Sequence, residues 1–144
     1  GLEEQAQSWL ERYSGLVGVG LNLNPDRTNA IFGPETQIIA GQPYLLEEFA
    51  GLTFQIRPDT FFQVYTEQAE ALLQVITTEL ALTGQETLVD AYCGIGTLTL
   101  PLASQVKSAI GLEVQAEAVV QARANAALNQ LENVSFQVGT VETL

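Results

Sequence analysis

Between Thr87 and Val138 the chain alternates short apolar runs with helical stretches, and this alternation constrains its fold more than any other feature. The order is strand (Thr87 to Ala91), helix (about 98–104), strand (Ser108 to Leu112), Ala-rich helix (about 115–129) and strand (Val134 to Val138). Strands separated by helices cannot be hairpin partners, so they enter a parallel sheet through right-handed crossovers. Just upstream, Ala69, Leu72, Leu73, Ile76 and Leu80 recur at helical spacing, which predicts a helix over about 66–82 that buries this stripe and stops near Gly84.

Before Asp59 the period is two. Val17, Val19, Leu21 and Leu23 alternate with small or polar residues, Asn24-Pro25-Asp26 makes a turn, and Ala30 to Phe32, Thr36 to Ile39 and Leu52 to Ile56 are further strand candidates. With a short helix over 2–13 in front, residues 1–60 are expected to form a small α+β segment with one antiparallel sheet over about 16–57. Residues 61–144 are expected to form a separate α/β unit.

Composition narrows the chemistry. A single cysteine, Cys93, excludes an internal disulfide and multi-cysteine metal sites, and the absence of histidine removes His-dependent triads and most metal centres. Seventeen acidic residues face five basic ones, a net charge of −12. No Lys/Arg cluster offers phosphates a binding stripe, so an RNA substrate would have to be held by something else; the acids otherwise read as a solubilising surface. No apolar run approaches membrane-spanning length and no signal-like leader opens the chain, which leads us to expect a cytoplasmic protein without membrane contact. There is no methionine, so Gly1 reads as a processed terminus or the start of an excised piece.

The stretch Asp90-Ala91-Tyr92-Cys93-Gly94-Ile95-Gly96-Thr97-Leu98 carries the candidate chemistry. A strand runs into a Gly-x-Gly turn and then a helix, where glycines let the backbone approach a ligand and free N–H groups attract an anionic group. Glu113 follows Gly94 by 19 residues, at the end of the next strand, where a Rossmann-like fold sets a carboxylate against ribose hydroxyls. A dinucleotide fingerprint wants a third small residue where this chain has Thr99, and Asp90 would repel a pyrophosphate. S-adenosylmethionine (SAM), with a sulfonium and an amino-acid tail in place of phosphates, suits the loop better. Asp90 can equally cap the following turn, and Glu113 can be a solvated strand end.

Four ordered blocks resemble the SAM-dependent RNA uracil-C5 methyltransferases, which make 5-methyluridine in rRNA and tRNA. They are Phe61-Phe62-Gln63-Val64, Leu88 to Ala103, Gly111-Leu112-Glu113, and Ala122 to Asn129 followed by Asn133 to Phe136. Asn22-Leu23-Asn24 and Gly41 to Leu45 resemble the segment that precedes the methyltransferase core in that family. The resemblance implies a fragment of such an enzyme, namely the N-terminal half of a Rossmann-like SAM-dependent methyltransferase core preceded by the small α+β segment. It implies that Gln63, Tyr92 and Glu113 contact SAM, with Gly94 and Thr97 lining the loop. The plainer readings are a helix cap for Gln63, strand-end packing for Tyr92 and core packing for Phe61 and Phe62.

The chain departs from the family at Tyr65, where Asn is usual, and at Thr140, where an acidic residue or Asn is usual. The family's catalytic cysteine and carboxylate base are implied to lie beyond this sequence. Cys93 belongs to the loop and reads as a buried or loop-lining thiol, although a helix start could lower its pKa. The expectation is therefore SAM binding without turnover, RNA contact through other parts of a larger enzyme, and pairing of an uncovered strand edge with a second copy. Three alternatives stand beside it: a SAM methyltransferase of another substrate class, a nicotinamide-dependent oxidoreductase, and a non-catalytic nucleoside-binding module.

Overall fold

The computed structural model describes residues 1–25 and 31–143. The chain divides into two compact units, Gly1–Leu45 with Arg57–Asp59, and Leu46–Ile56 with Thr60–Leu144.

In the first unit, helix α1 (Leu2–Arg12) precedes strands β1 (Gly18–Leu23) and β2 (Glu35–Gly41). The two strands pair antiparallel, with a shift in register between Val19 and Gly20. The Asn22 side chain closes the open end of this ribbon: its Nδ2 donates to the carbonyls of Gly33 and Glu35, and its Oδ1 accepts from the Gly33 N–H at 2.7 Å. Ile31 and Phe32 form a bend and are exposed, so the strand expected over Ala30 to Phe32 is not formed at those two residues. Ala30 and Asp26, the last residue of the expected turn, lie outside the described residues. At Asp59, burial pushes the carboxyl up, but hydrogen bonds from Arg57 and Thr36 and the Arg57 charge outweigh it and hold the pKa below the usual range.

The second unit begins with a hairpin, β3 (Leu45–Phe49) and β4 (Leu52–Ile56). Ala50 and Gly51 connect the strands with φ of 51° and 76°, the two left-handed residues that a tight type I′ turn requires. The single antiparallel sheet expected over 16–57 is thus two separate two-stranded ladders. Leu45-Leu46-Glu47-Glu48-Phe49 shows no alternation in sequence, which is why β3 was not foreseen; only Phe49 is fully buried. That burial also explains why the hairpin groups with the later residues instead of with 1–60. The Phe49, Phe54 and Phe62 rings meet at centroid distances of 5.9 to 6.1 Å inside the second unit's core.

Helix α2 (Thr66–Leu80) follows, ended by Ala81 in the left-handed conformation. Ala69 and Leu73 are buried and Ile76 packs against the core, whereas Leu72 and Leu80 of the expected stripe stay about half exposed. Then come β5 (Thr87–Asp90), α3 (Thr99–Ala103), β6 (Ser108–Glu113), α4 (Ala116–Leu128), β7 (Val134–Val138) and a short 3-10 turn. The strands form a parallel sheet, as the alternation leads one to expect, in the order β5-β6-β7. Register pairs Asp90 with Gly111 and Glu113 with Val138, so the carboxyl ends of β5 and β6 open at one edge. Gly111 permits the packing behind that edge. A Cβ there would collide with the Phe136 ring and stand 2.8 Å from the Cys93 sulfur.

Candidate functional site

The turn after β5 is built around two carboxylates. Asp90 ends the strand; its Oδ2 accepts a 2.6 Å hydrogen bond from the Thr99 hydroxyl, and its Oδ1 a longer one, 3.4 Å, from the Tyr92 N–H. Asp90 therefore ties the first turn of α3 back to the strand. Thr99 is completely buried, and its role went unseen in the sequence, where the position counted only as a missing small residue.

Glu113, at the end of β6, reaches across to the same turn. Its Oε2 accepts from the Gly94 N–H at 3.1 Å and its Oε1 from the Gln115 N–H at 3.0 Å. Each carboxylate oxygen keeps a second lone pair, so the group can still accept hydroxyl protons from a ligand. Gly94 and Gly96 have φ of 54° and 88°, values that disfavour a side chain. At Gly94 nothing lies within 4 Å of where a Cβ would be, so open space adjoins the backbone that Glu113 holds. The Gly96 N–H is taken by the Cys93 carbonyl at 2.8 Å.

Of the residues singled out in the sequence, the structure brings Gly94 and Glu113 into direct contact and places Thr97, buried, in the same turn. Tyr92 is 78% exposed and so is not packing at a strand end. Gln63 lies half-buried in the segment before α2 and makes no side-chain hydrogen bond among the described residues; Tyr65, without a side-chain cap, begins that helix. Phe62 joins the aromatic core as a packing residue would, and Phe61 is exposed instead.

Cys93 lies beneath the turn, buried. Desolvation first, then the charges of Asp90 and Glu113, push its thiol up to about 12. Lowering by the helix start, allowed for in the sequence, does not occur: α3 begins only at Thr99, and the nearest charges are negative. Among the described residues no group of three potential metal ligands forms, and no helix is long and apolar enough to cross a membrane.

Residues 82–144 match the family described as methyltransferase domain. The matched residues include the Asp90–Thr99 turn and Glu113. The whole chain is 70% identical over 144 residues to an uncharacterized RNA methyltransferase of Nostoc sp. (strain PCC 7120), covering 100% of this chain and 31% of that protein. The chain spans about a third of the length of the curated relatives it matches. Among solved structures, a Pyrococcus abyssi tRNA (uracil-54, C5)-methyltransferase in complex with S-adenosyl-L-homocysteine is similar with a TM-score of 0.71 at 22% identity. The likeness covers 90% of this chain and 32% of that one. P. horikoshii TYW2 in complex with MeSAdo is similar with a TM-score of 0.65 at 17% identity, covering 99% of this chain and 49% of that one. These likenesses show the Rossmann-like methyltransferase fold, the architecture that the sequence resemblance implies.

Proposed function

We propose that the methyltransferase domain binds SAM at the turn after β5 and the end of β6, within an enzyme that methylates uridine at C5 in RNA. The observation that carries the reading is the Glu113–Gly94 hydrogen bond beside the open space at Gly94. It sets a carboxylate with spare acceptor capacity where ribose hydroxyls would lie, over backbone that no side chain screens. Tyr92 adds an exposed aromatic face, and Gln63 an amide without a side-chain partner among the described residues. Asp90, tied to Thr99, keeps negative charge at the base of the turn, which favours a cationic ligand over a pyrophosphate. When bound, SAM would supply an electrophilic methyl group; Glu113, Gly94 and Thr97 would orient its adenosyl part.

The RNA and uracil-C5 assignments draw on the names of the relatives and on the sequence resemblance. In that chemistry an ionised cysteine adds to the base. The only cysteine of the sequence, Cys93, is buried, with its thiol pushed up to about 12, and is not assigned that attack. These 144 residues are accordingly assigned the binding of the methyl donor and not the attack on uracil.

Calorimetric titration with S-adenosylhomocysteine, alongside NADH, tests the reading. Binding of the former only, weakened at least about tenfold in Glu113→Ala by loss of a charge-assisted hydrogen bond, is expected. Equal affinity in that variant, or a preference for NADH, would contradict it. Methyl transfer to uridine-containing RNA by these residues alone would overturn the assignment of roles.

A further inference from the structure

Helix α4 buries two polar side chains, Gln121 and Asn125, in an otherwise alanine-rich run, and Asn125 is completely inaccessible. A buried amide requires partners, and those of Asn125 are specific. Its Oδ1 accepts from the Gln55 N–H at 2.8 Å, while its Nδ2 donates to the Gln55 carbonyl and the Ile95 carbonyl, both at 3.3 Å. One turn later Asn129 repeats the first half of the arrangement: Oδ1 accepts from the Thr53 N–H at 3.0 Å and Nδ2 donates to the Thr53 carbonyl at 2.7 Å.

Thr53 and Gln55 are alternate residues of β4, so their N–H and C=O groups leave the same edge of the strand. Two strand residues advance about 6.6 Å and four helical residues about 6 Å, so asparagines four apart stand in register with that edge. They act as a neighbouring strand would. Asn129 donates a second time to the Asn125 carbonyl of its own helix at 2.8 Å, whereas Asn125 donates its second amide proton to the carbonyl of Ile95, the residue between Gly94 and Gly96. The N–H of the Ile95–Gly96 peptide is held by the Cys93 carbonyl and its C=O by Asn125, while Glu113 holds the Gly94 N–H. Gly96, on the C-terminal side of this peptide, gives it a freedom of rotation that a residue with a side chain would restrict.

We propose that Asn125 is a positioning residue for the ligand turn, fixing the Ile95 carbonyl and coupling the turn to the β3–β4 hairpin through Gln55. The consequence for affinity rests on the SAM-binding reading above; the mechanical coupling does not. Binding to a preformed turn avoids the ordering that a free one would require.

The test compares Asn125→Ser with Asn129→Ala, which frees the same strand but leaves the turn untouched, each at the same interval below its own unfolding midpoint. In the ligand-free chain, hydrogen exchange at the Ile95, Gly96 and Thr97 amides should accelerate about tenfold in Asn125→Ser, for loss of one buried hydrogen bond, and stay near the original rate in Asn129→Ala. S-adenosylhomocysteine affinity should fall about tenfold in the first variant only. Unchanged exchange in Asn125→Ser, or the same acceleration in both variants, would overturn the proposal. Native-state exchange in the unaltered chain decides the same question if Asn125→Ser does not fold: the Gln55 and Gly96 amides should lose protection in one opening event, and separate events would refute the coupling. Failure of the unaltered chain to bind S-adenosylhomocysteine would remove the ligand reading alone, and the exchange comparison would still decide the role of Asn125.

Discussion

The chemistry of the turn rests on single contacts. Thr99 donates a 2.6 Å hydrogen bond to Asp90 from a fully buried position, so Thr99→Val leaves a carboxylate oxygen without its partner while preserving shape. A cost of about 1–3 kcal/mol is expected, read as a lowered midpoint in urea unfolding with unchanged slope. Cys93 provides a second check. With its pKa pushed up to about 12, about one thiol in ten thousand is ionised at pH 8, and iodoacetamide should modify the folded chain only when it unfolds. Rapid alkylation under native conditions would contradict the burial and the charges assigned to it. At this scale the sequence was partly legible. Gly94 and Thr97 could be placed in one turn because strand, Gly-x-Gly and helix follow in order, and Glu113 at the end of the next strand by its spacing from Gly94. The Thr99–Asp90 bond could not be placed, since eight intervening residues hide a chain that folds back on itself.

At the scale of elements, packing decides what a residue may be. Gly111 on β6 faces the Phe136 ring of β7, and an added methyl would collide with it. Gly111→Ala should destabilise by about 1–3 kcal/mol through overpacking, and Phe136→Leu in the same chain should restore part of the loss. The turn into β5 is closed by Glu86, which accepts from the Thr83 hydroxyl and from the backbone N–H groups of Thr83, Gly84 and Gln85. These bonds, that from the Thr83 hydroxyl above all, depress its pKa to about 2. A depressed carboxylate adds stability that is fully present above its unfolded value, 4.5, and fades as pH falls toward about 2. The stability difference between the unaltered chain and Glu86→Gln should therefore shrink over that window; a difference independent of pH would refute the cap. Elements with clear periodicity, β5 to β7 and the helices, were legible in the sequence. The hairpin strand β3 was not, because Glu47 and Glu48 break its alternation and leave one buried side chain, Phe49, whose ring partners lie on β4 and before α2.

For the whole molecule, the net charge of −12 is the dominant long-range term. Like charges repel over a screening length of about 30 Å at 0.01 M salt and about 8 Å at 0.15 M, so the unfolding midpoint should rise with added sodium chloride. The same field opposes polyanions, and these residues alone should bind RNA weakly even at low salt; tight, salt-sensitive binding in an anisotropy titration would contradict this. The parallel order of the sheet was readable from the alternation alone, whereas the division of the chain was not: Phe49 and Phe54 carry the hairpin into the second unit's core. The central claim is that Glu113 and the glycine turn together receive an adenosyl ligand, and amide NMR of the chain titrated with S-adenosylhomocysteine tests it most directly. Saturable shifts centred on Tyr92, Gly94, Thr97 and Glu113 are predicted. Shifts centred elsewhere, or none at ligand concentrations in the millimolar range, would contradict it.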